Sequence, residues 1–176
     1  IDGDEQINQQ YLALESDCVN LITLQQPVAS EMRFVVASFK ILTDLERIGD
    51  LATNLARYAL TNVSETVFDV RIKQIGEAAV DQLREAVAAY VEEDADACRE
   101  IAERDDEVDA LCQNASDAVV RELVASEPDQ WKIEQLLDDV SRLLLAIRDL
   151  ERIGDHAVNI AARTLYMTES DPELIY

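Results

Sequence analysis

The chain has 176 residues, 48% of them apolar, with only four glycines and three prolines. It can therefore bury a core, and its composition favours helices over a loop-rich β protein. The formal net charge of −22, from 37 acidic and 15 basic residues, repels nucleic acid and anionic lipid. Apolar runs such as residues 143–147 are far too short for a membrane span. These features predict a cytoplasmic protein with no direct nucleic acid binding and no membrane insertion.

Apolar residues at helical spacing predict five helices. They cover about residues 4–24, 28–59, 68–93, 95–125 and 131–164. Pro27 and Pro128 precede the second and fifth helices, where proline is tolerated. Residues 92–96, four of which are acidic, predict a tight turn with an aspartate N-cap. Residues 61–66 are the best linker candidate. The fold class predicted is all-α.

The types of basic residue and the spacing of the cysteines indicate the salt conditions and the redox compartment of the protein. Only three of the 15 basic residues are lysines, and scarce lysine in a very acidic chain resembles proteins of salt-loving organisms. An ordinary acidic cytoplasmic protein is the alternative. The three cysteines have no CxxC spacing and predict buried or free thiols in a reducing compartment.

An internal repeat divides the chain. Residues 44–56 read DLERIGDLATNLA and residues 149–161 read DLERIGDHAVNIA, with ten of thirteen positions identical at an offset of 105. Upstream, Ile1-Asp2 aligns with Val108-Asp109. The repeat predicts two similar three-helix bundles, one in residues 1–62 and one in residues 63–176. Only two helices are visible in the first, so a missing helix is expected before Ile1.

Acidic side chains recur at helical spacing within the repeat. Glu46 and Asp50 are four residues apart, as are Glu151 and Asp155, and each pair shares a helix face. Like charges at this spacing destabilise a helix by a few tenths of a kcal/mol, which suggests a compensating partner. A hard cation is one such partner, and the adjacent Arg47 or Arg152 is another. One turn further along each face lies an asparagine, Asn54 in the first half and Asn159 in the second.

A second pair, Asp105 and Asp109, lies on the preceding helix. If this pair faces Glu151 and Asp155, four carboxylates converge and either bind metal or undergo large pKa shifts. Asp2 is half of the matching pair in the first half. The alternative is a solvated acidic face, which is common on acidic helices.

Three further residues invite interpretation. Gly49 and Gly154 lie within helices, where glycine costs about 1 kcal/mol relative to alanine. Close approach of a neighbouring helix or ion explains them, and a tolerated small residue is the alternative. His156, the only histidine, points about 100° away from the face of Asp155, so we expect a packing or surface role. No motif for a nucleophile or a phosphate loop is present, and we predict that the chain is not an enzyme.

The two ERIGD-x-A-x-N segments, residues 46–54 and 151–159, resemble the signature of the PhoU family. Residues 25–33 and 105–109 are similar to other stretches of that family. The resemblance implies two similar three-helix bundles that bind metal ions, often iron or zinc. It implies negative regulation of phosphate uptake and of the phosphate-starvation response. The implied partners are the ATP-binding subunit of a phosphate ABC transporter, a sensor histidine kinase and a second copy in a homodimer. The implied ligands are Glu46, Asp50, Asp105, Asp109, Glu151 and Asp155, with Asp2, Asn54 and Asn159 as secondary candidates.

Two other interpretations of the sequence remain open. One is a metal-dependent enzyme of the carboxylate-bundle type, although the Glu-x-x-His motif of such sites is absent from the sequence. The other is a metal-free helical interaction module whose acidic faces are simply solvated.

Overall fold

The computed structural model describes residues 3–60, 71–126 and 133–175, and every regular element in these ranges is a helix. The helices are α1 (Asp4–Gln25), α2 (Ala29–Leu60), α3 (Ile72–Glu92), α4 (Ala95–Glu103), α5 (Asp105–Ala125) and α6 (Ile133–Glu169). The all-α prediction is therefore confirmed. The predicted linker at 61–66, Pro128 and the helix starts predicted at residues 68 and 131 lie outside the described residues.

One predicted helix is interrupted. The sequence predicted a single helix over 95–125, but Arg104 separates α4 from α5 with φ −86° and ψ −4°. The Arg104 guanidinium makes an ion pair with Glu85 of α3, which anchors the bend to a neighbouring helix. The break gives α5 an N-terminus of its own, with three acidic residues in its first turn, where the helix dipole favours negative charge. Helical spacing carries no sign of such an interruption.

The predicted turn between α3 and α4 is confirmed in detail. Glu93 adopts the left-handed conformation with φ 53° and ends α3. The Asp94 carboxylate accepts a hydrogen bond from the backbone N–H of Ala97 at 3.0 Å, which is the N-cap arrangement. This turn reverses the chain so that α4 packs back against α3.

Helix α6 is the centre of the fold, because it packs against α2, α3, α4 and α5. Its predicted apolar face is largely buried, and Ile147, Ile160 and Leu165 are almost fully enclosed. Burial of each such side chain contributes about 1.5–3 kcal/mol. The face is less buried at its start, where Ile133 and Leu137 remain exposed. Helices α2, α3, α4 and α5 thus all pack around α6.

Helix α1 has fewer neighbouring helices than α6, since within the described residues it packs against α2 alone. Two of its leucines, Leu12 and Leu24, are 60% and 78% exposed. The arrangement in two bundles, their boundary at residue 62 and the expected upstream helix stay predictions. Among the described residues, none of the helices combines the length and apolar character needed to cross a membrane.

Candidate functional site

The carboxylates of α5 and α6 converge where the first turn of α5 lies against the middle of α6. Asp105, Asp109 and Asp155 each place a carboxylate oxygen within 4.8 Å of the others. Asp105 and Asp109 share one face of α5 because they are four residues apart, and Asp155 faces them from α6. Glu151 lies one turn before Asp155 and is electrostatically coupled to the same three side chains. We call Asp105, Asp109, Glu151 and Asp155 the acidic cluster.

Burial and repulsion from neighbouring carboxylates disfavour the charged forms of Asp105, Glu151 and Asp155. Burial raises the pKa of Asp105 and the charges of Asp109 and Asp155 raise it further, while a hydrogen bond from Gln82 opposes the rise. The pKa of Glu151 is raised by burial and then by Asp109, Asp155 and Asp105. For Asp155, burial and Asp109 raise the pKa, while His156 and Arg152 oppose the rise. An added cation would relieve this repulsion directly.

A glutamine of α3, Gln82, completes the surroundings of Asp105 and was not singled out by the sequence. Its side chain is 5% exposed, and its Nε2–H donates to Asp105 Oδ1 at 2.9 Å. The Gln82 Oε1 is buried and has no hydrogen-bond partner among the described residues. A lone glutamine on an amphipathic helix has no pattern that distinguishes it, so only packing reveals this contact.

Gly154 allows the three helices to approach one another at the acidic cluster. A Cβ atom at this position would lie 3.1 Å from Gln82 Oε1, 3.5 Å from Val108 Cγ1 and 3.7 Å from Asp105 Oδ1. The first distance is tighter than ordinary van der Waals contact. The close approach expected at this glycine is therefore present.

The first half does not repeat the cluster within the described residues. Glu46 is half-buried and Asp50 exposed, and neither belongs to a group of three acidic, thiol or imidazole ligands there. The Asn54 Oδ1 accepts a hydrogen bond from Arg57 at 3.1 Å. Asp2 lies outside the described residues. In the second half, Asn159 is exposed one turn beyond Asp155.

In the first half, α1 provides the neighbours of the equivalent glycine. The Ile7 side chain lies 3.4 Å from the position that a Cβ of Gly49 would occupy. Among the described residues α1 packs against α2 alone, so none of the other described helices fixes its position along that surface.

Two buried aspartates, one from each repeated segment, join α2 to α6. Asp44 Oδ1 lies 2.9 Å from Nδ1 of His156, with both residues buried. Asp149, which occupies the position of Asp44 in the second segment, accepts a hydrogen bond from Tyr58 at 3.2 Å. The packing role expected for His156 is present. The first aspartate of the repeated segment was missed as a contact residue, and its identity in both copies was the available signal.

The thiols are as expected from their spacing. Cys18, Cys98 and Cys112 are free and buried. Burial raises the pKa of Cys98 to about 11 and that of Cys112 to about 12, the latter with help from the acidic cluster. Thiols with such pKa values are poor nucleophiles.

Comparison with known proteins gives a consistent set of matches. The sequence profile of the PhoU domain matches residues 1–59 and 72–164. A phosphate-specific transport system accessory protein PhoU homologue of Pseudomonas putida is 36% identical over 168 residues, which are 93% of this chain and 62% of that protein. The PhoU accessory protein of Escherichia coli is 30% identical over 168 residues, 94% of this chain and 67% of that protein. The chain thus spans less than two thirds of the first relative.

Two solved structures share the fold. The crystal structure of PhoU from Pseudomonas aeruginosa matches with a TM-score of 0.82 and 33% identity, over 97% of this chain and 79% of that one. The phosphate transport system regulatory protein PhoU from Streptococcus pneumoniae matches with a TM-score of 0.86 and 25% identity, over 97% and 77% respectively.

Proposed function

The chain belongs to the PhoU family, and from this premise we propose that it is a regulatory adapter that negatively regulates phosphate uptake and the phosphate-starvation response. It acts on the cytoplasmic side by binding the ATP-binding subunit of a phosphate ABC transporter and a sensor histidine kinase. The observation that carries the proposal is the doubled segment in α2 and α6, inside a family match that covers both halves. The similar proteins are described as accessory or regulatory proteins of phosphate transport.

Those descriptions name no enzymatic activity, in agreement with the prediction that this chain is not an enzyme. The charge of the chain adds a physical requirement for its partners. With a net charge of −22, association is favoured with surfaces that present basic residues, and it weakens as salt rises. The homodimer belongs to the same proposal and is measured by light scattering across a concentration series.

Cation binding at the acidic cluster is the second part of the proposal, with iron or zinc as the family's usual ions. Hard cations take carboxylate oxygens as ligands, and the cluster offers four carboxylates whose mutual repulsion a cation relieves. The Gln82 Oε1, which is buried and has no donor among the described residues, fits a water molecule of a hydrated ion beside the cluster. Asp105, Asp109, Glu151 and Asp155 would hold the ion, which supplies positive charge that fixes α5 to α6. Glu46 and Asp50, with Asp2, form a second and weaker candidate, and Asn54 and Asn159 are secondary ligands.

The regulatory role is tested by deletion and direct binding. Deletion of the gene is expected to raise a phosphate-starvation reporter in phosphate-rich medium, and re-expression is expected to restore repression. The purified protein is expected to bind the transporter's ATP-binding subunit and the cytoplasmic part of the kinase in biolayer interferometry, with weaker binding at high salt. A reporter that stays low after deletion, together with no binding to either partner at low salt, contradicts the proposal. Binding without any effect of cations would favour the metal-free interaction module.

A further inference from the structure

The carboxylate of Asp105 is held from a third helix. Gln82 of α3 donates its Nε2–H to Asp105 Oδ1 at 2.9 Å. Among the described residues, the acidic side chains of the cluster come only from α5 and α6. Gln82 is therefore the point at which α3 touches the cluster through a polar group.

The orientation of the Gln82 amide follows from charge. An ionised carboxylate only accepts hydrogen bonds, so the amide must turn its NH₂ toward Asp105 and its Oε1 away. This leaves the buried Oε1 without a partner among the described residues, and an unsatisfied buried polar atom destabilises the folded state. Because an apolar side chain of similar shape would avoid this cost, a contribution elsewhere is needed to explain a glutamine here.

The space around Gln82 leaves its amide little freedom. The side chain is 5% exposed, and its Oε1 lies 3.1 Å from the position that a Cβ of Gly154 would occupy. The Asp105 Oδ1 lies 3.7 Å from that same point. Rotation of the amide is thus limited by α6 on one side and by Asp105 on the other.

We propose that Gln82 is a positioning residue of the cation site: it fixes the Asp105 carboxylate toward Asp109 and Asp155 and ties α3 to the occupancy of the site. This inference rests on the proposed cation binding and assigns a third helix to it. A hydrogen-bond partner of a ligand typically contributes 10–100-fold to metal affinity, because it orients the ligand before the ion arrives. In the loaded protein, the same hydrogen bond couples the ion to α3, which supplies no acidic ligand to the cluster.

The chain provides a matched control for this contact. Gln113 on α5 donates its Nε2–H to Asp117 at the same distance, 2.9 Å, but on an exposed surface. Methionine is the closest apolar replacement in length for either glutamine. Each variant therefore removes a glutamine-to-aspartate hydrogen bond of the same length. Gln82→Met removes the one at the acidic cluster, and Gln113→Met removes the one on the exposed surface of α5.

The experiment measures Mn²⁺ and Zn²⁺ binding to wild type and both variants by calorimetry, in about 0.5 M KCl to screen diffuse ion binding. We expect Gln82→Met to raise the Kd by about 10–100-fold and Gln113→Met to leave it unchanged. Amide hydrogen exchange supplies the second readout: saturating Mn²⁺ slows exchange in α3 of the wild type but not in α3 of saturated Gln82→Met. The cation-free melting curve of each variant shows whether it folds.

The outcomes separate the two proposals. If wild type and Gln82→Met bind with equal Kd and show equal slowing of exchange in α3, the positioning role of Gln82 is wrong while cation binding stands. If wild type binds neither ion, the proposed cation binding is wrong and the role of Gln82 with it. If Gln82→Met does not fold, Gln82→Asn, which keeps the amide but shortens its reach, must raise the Kd in its place, and an unchanged Kd overturns the inference.

Discussion

The repeated segments of α2 and α6 share ten of thirteen residues yet have different surroundings. In α6, Glu151 and Asp155 face two aspartates of α5, and α3 adds Gln82. In α2, Glu46 and Asp50 have only α1 beside them in the first half, and the described residues bring no third ligand to them. The repeated segment therefore supplies only one pair of carboxylates, which is one side of a candidate cation site. The neighbouring helices decide whether the other side exists.

The largest expected effect is a difference in cation affinity between variants of the first half and variants of the second half. We expect the double variant Asp105→Asn/Asp109→Asn to raise the Kd of the cation at the acidic cluster by about a hundredfold or more, since even loss of a ligand's hydrogen-bond partner raises it 10–100-fold. The double variant Glu46→Gln/Asp50→Asn should leave that Kd unchanged and should remove, at most, weaker cation binding in the first half. Calorimetry with Mn²⁺ and Zn²⁺ measures both variants. Equal losses in the two halves would show that the first half forms a comparable site.

The second prediction removes the histidine that distinguishes the two segments. His156→Leu gives the second segment the residue that the first has at Leu51, and it leaves the buried Asp44 without the hydrogen bond at 2.9 Å. We expect a loss of about 1–3 kcal/mol in the free energy of unfolding, or roughly 2–4 °C per kcal/mol in melting temperature.

The matched double variant, Asp44→Leu/His156→Leu, should recover part of that loss, because replacing both partners by apolar groups can be nearly neutral. Thermal melts of the wild type, the two single variants and the double variant complete the cycle. Additive losses would show that the contact between α2 and α6 contributes no coupling energy.

The third prediction compares the two glycines. Alanine in a helix interior is favoured over glycine by about 0.5–1 kcal/mol. At Gly49 the nearest obstacle is the flexible end of Ile7 at 3.4 Å, so Gly49→Ala should gain most of this stability. At Gly154 the buried Gln82 Oε1 lies at 3.1 Å, so Gly154→Ala should gain less or lose stability. Chemical unfolding measures the difference, and equal gains would contradict the close packing at Gly154.

The smallest effect concerns pH in cation-free protein. Since the folded pKa values of Asp105, Glu151 and Asp155 are raised, the folded state binds protons more readily than the unfolded state. Their contribution to stability is fully present below the ordinary carboxyl values, 3.8 for aspartate and 4.5 for glutamate. It is lost as the pH rises through the higher folded values.

Asp155→Asn should weaken this dependence and stabilise the protein at pH 7 by a few tenths of a kcal/mol, because it removes a like charge one turn from Glu151. Asp50→Asn, its counterpart on α2, provides the control for losing a negative charge. Melting temperatures between about pH 4 and pH 7 measure the slope. An unchanged slope in Asp155→Asn would show that repulsion in the acidic cluster does not affect folding.

The all-α fold class, the internal repeat and the spaced carboxylate pairs could all be predicted from the sequence, whereas the break between α4 and α5 could not. Periodicity located the helices because an amphipathic helix must bury one face. The spacing of Asp105 and Asp109 placed them on one face because helical geometry is fixed over four residues. The predicted convergence with Glu151 and Asp155 was conditional on how α5 meets α6, which local spacing does not encode.

The surroundings of the carboxylate pairs and of the repeated segments depend on tertiary packing. The break at Arg104 lies where that residue forms an ion pair with Glu85 of another helix. The hydrogen bond between Asp44 and His156 joins residues 112 positions apart, and the Gln82 side chain meets Asp105 and Gly154 where three helices pack together. Sequence fixes local geometry through short-range sterics and hydrogen bonds. The contacts that distinguish two nearly identical segments arise from packing between distant parts of the chain.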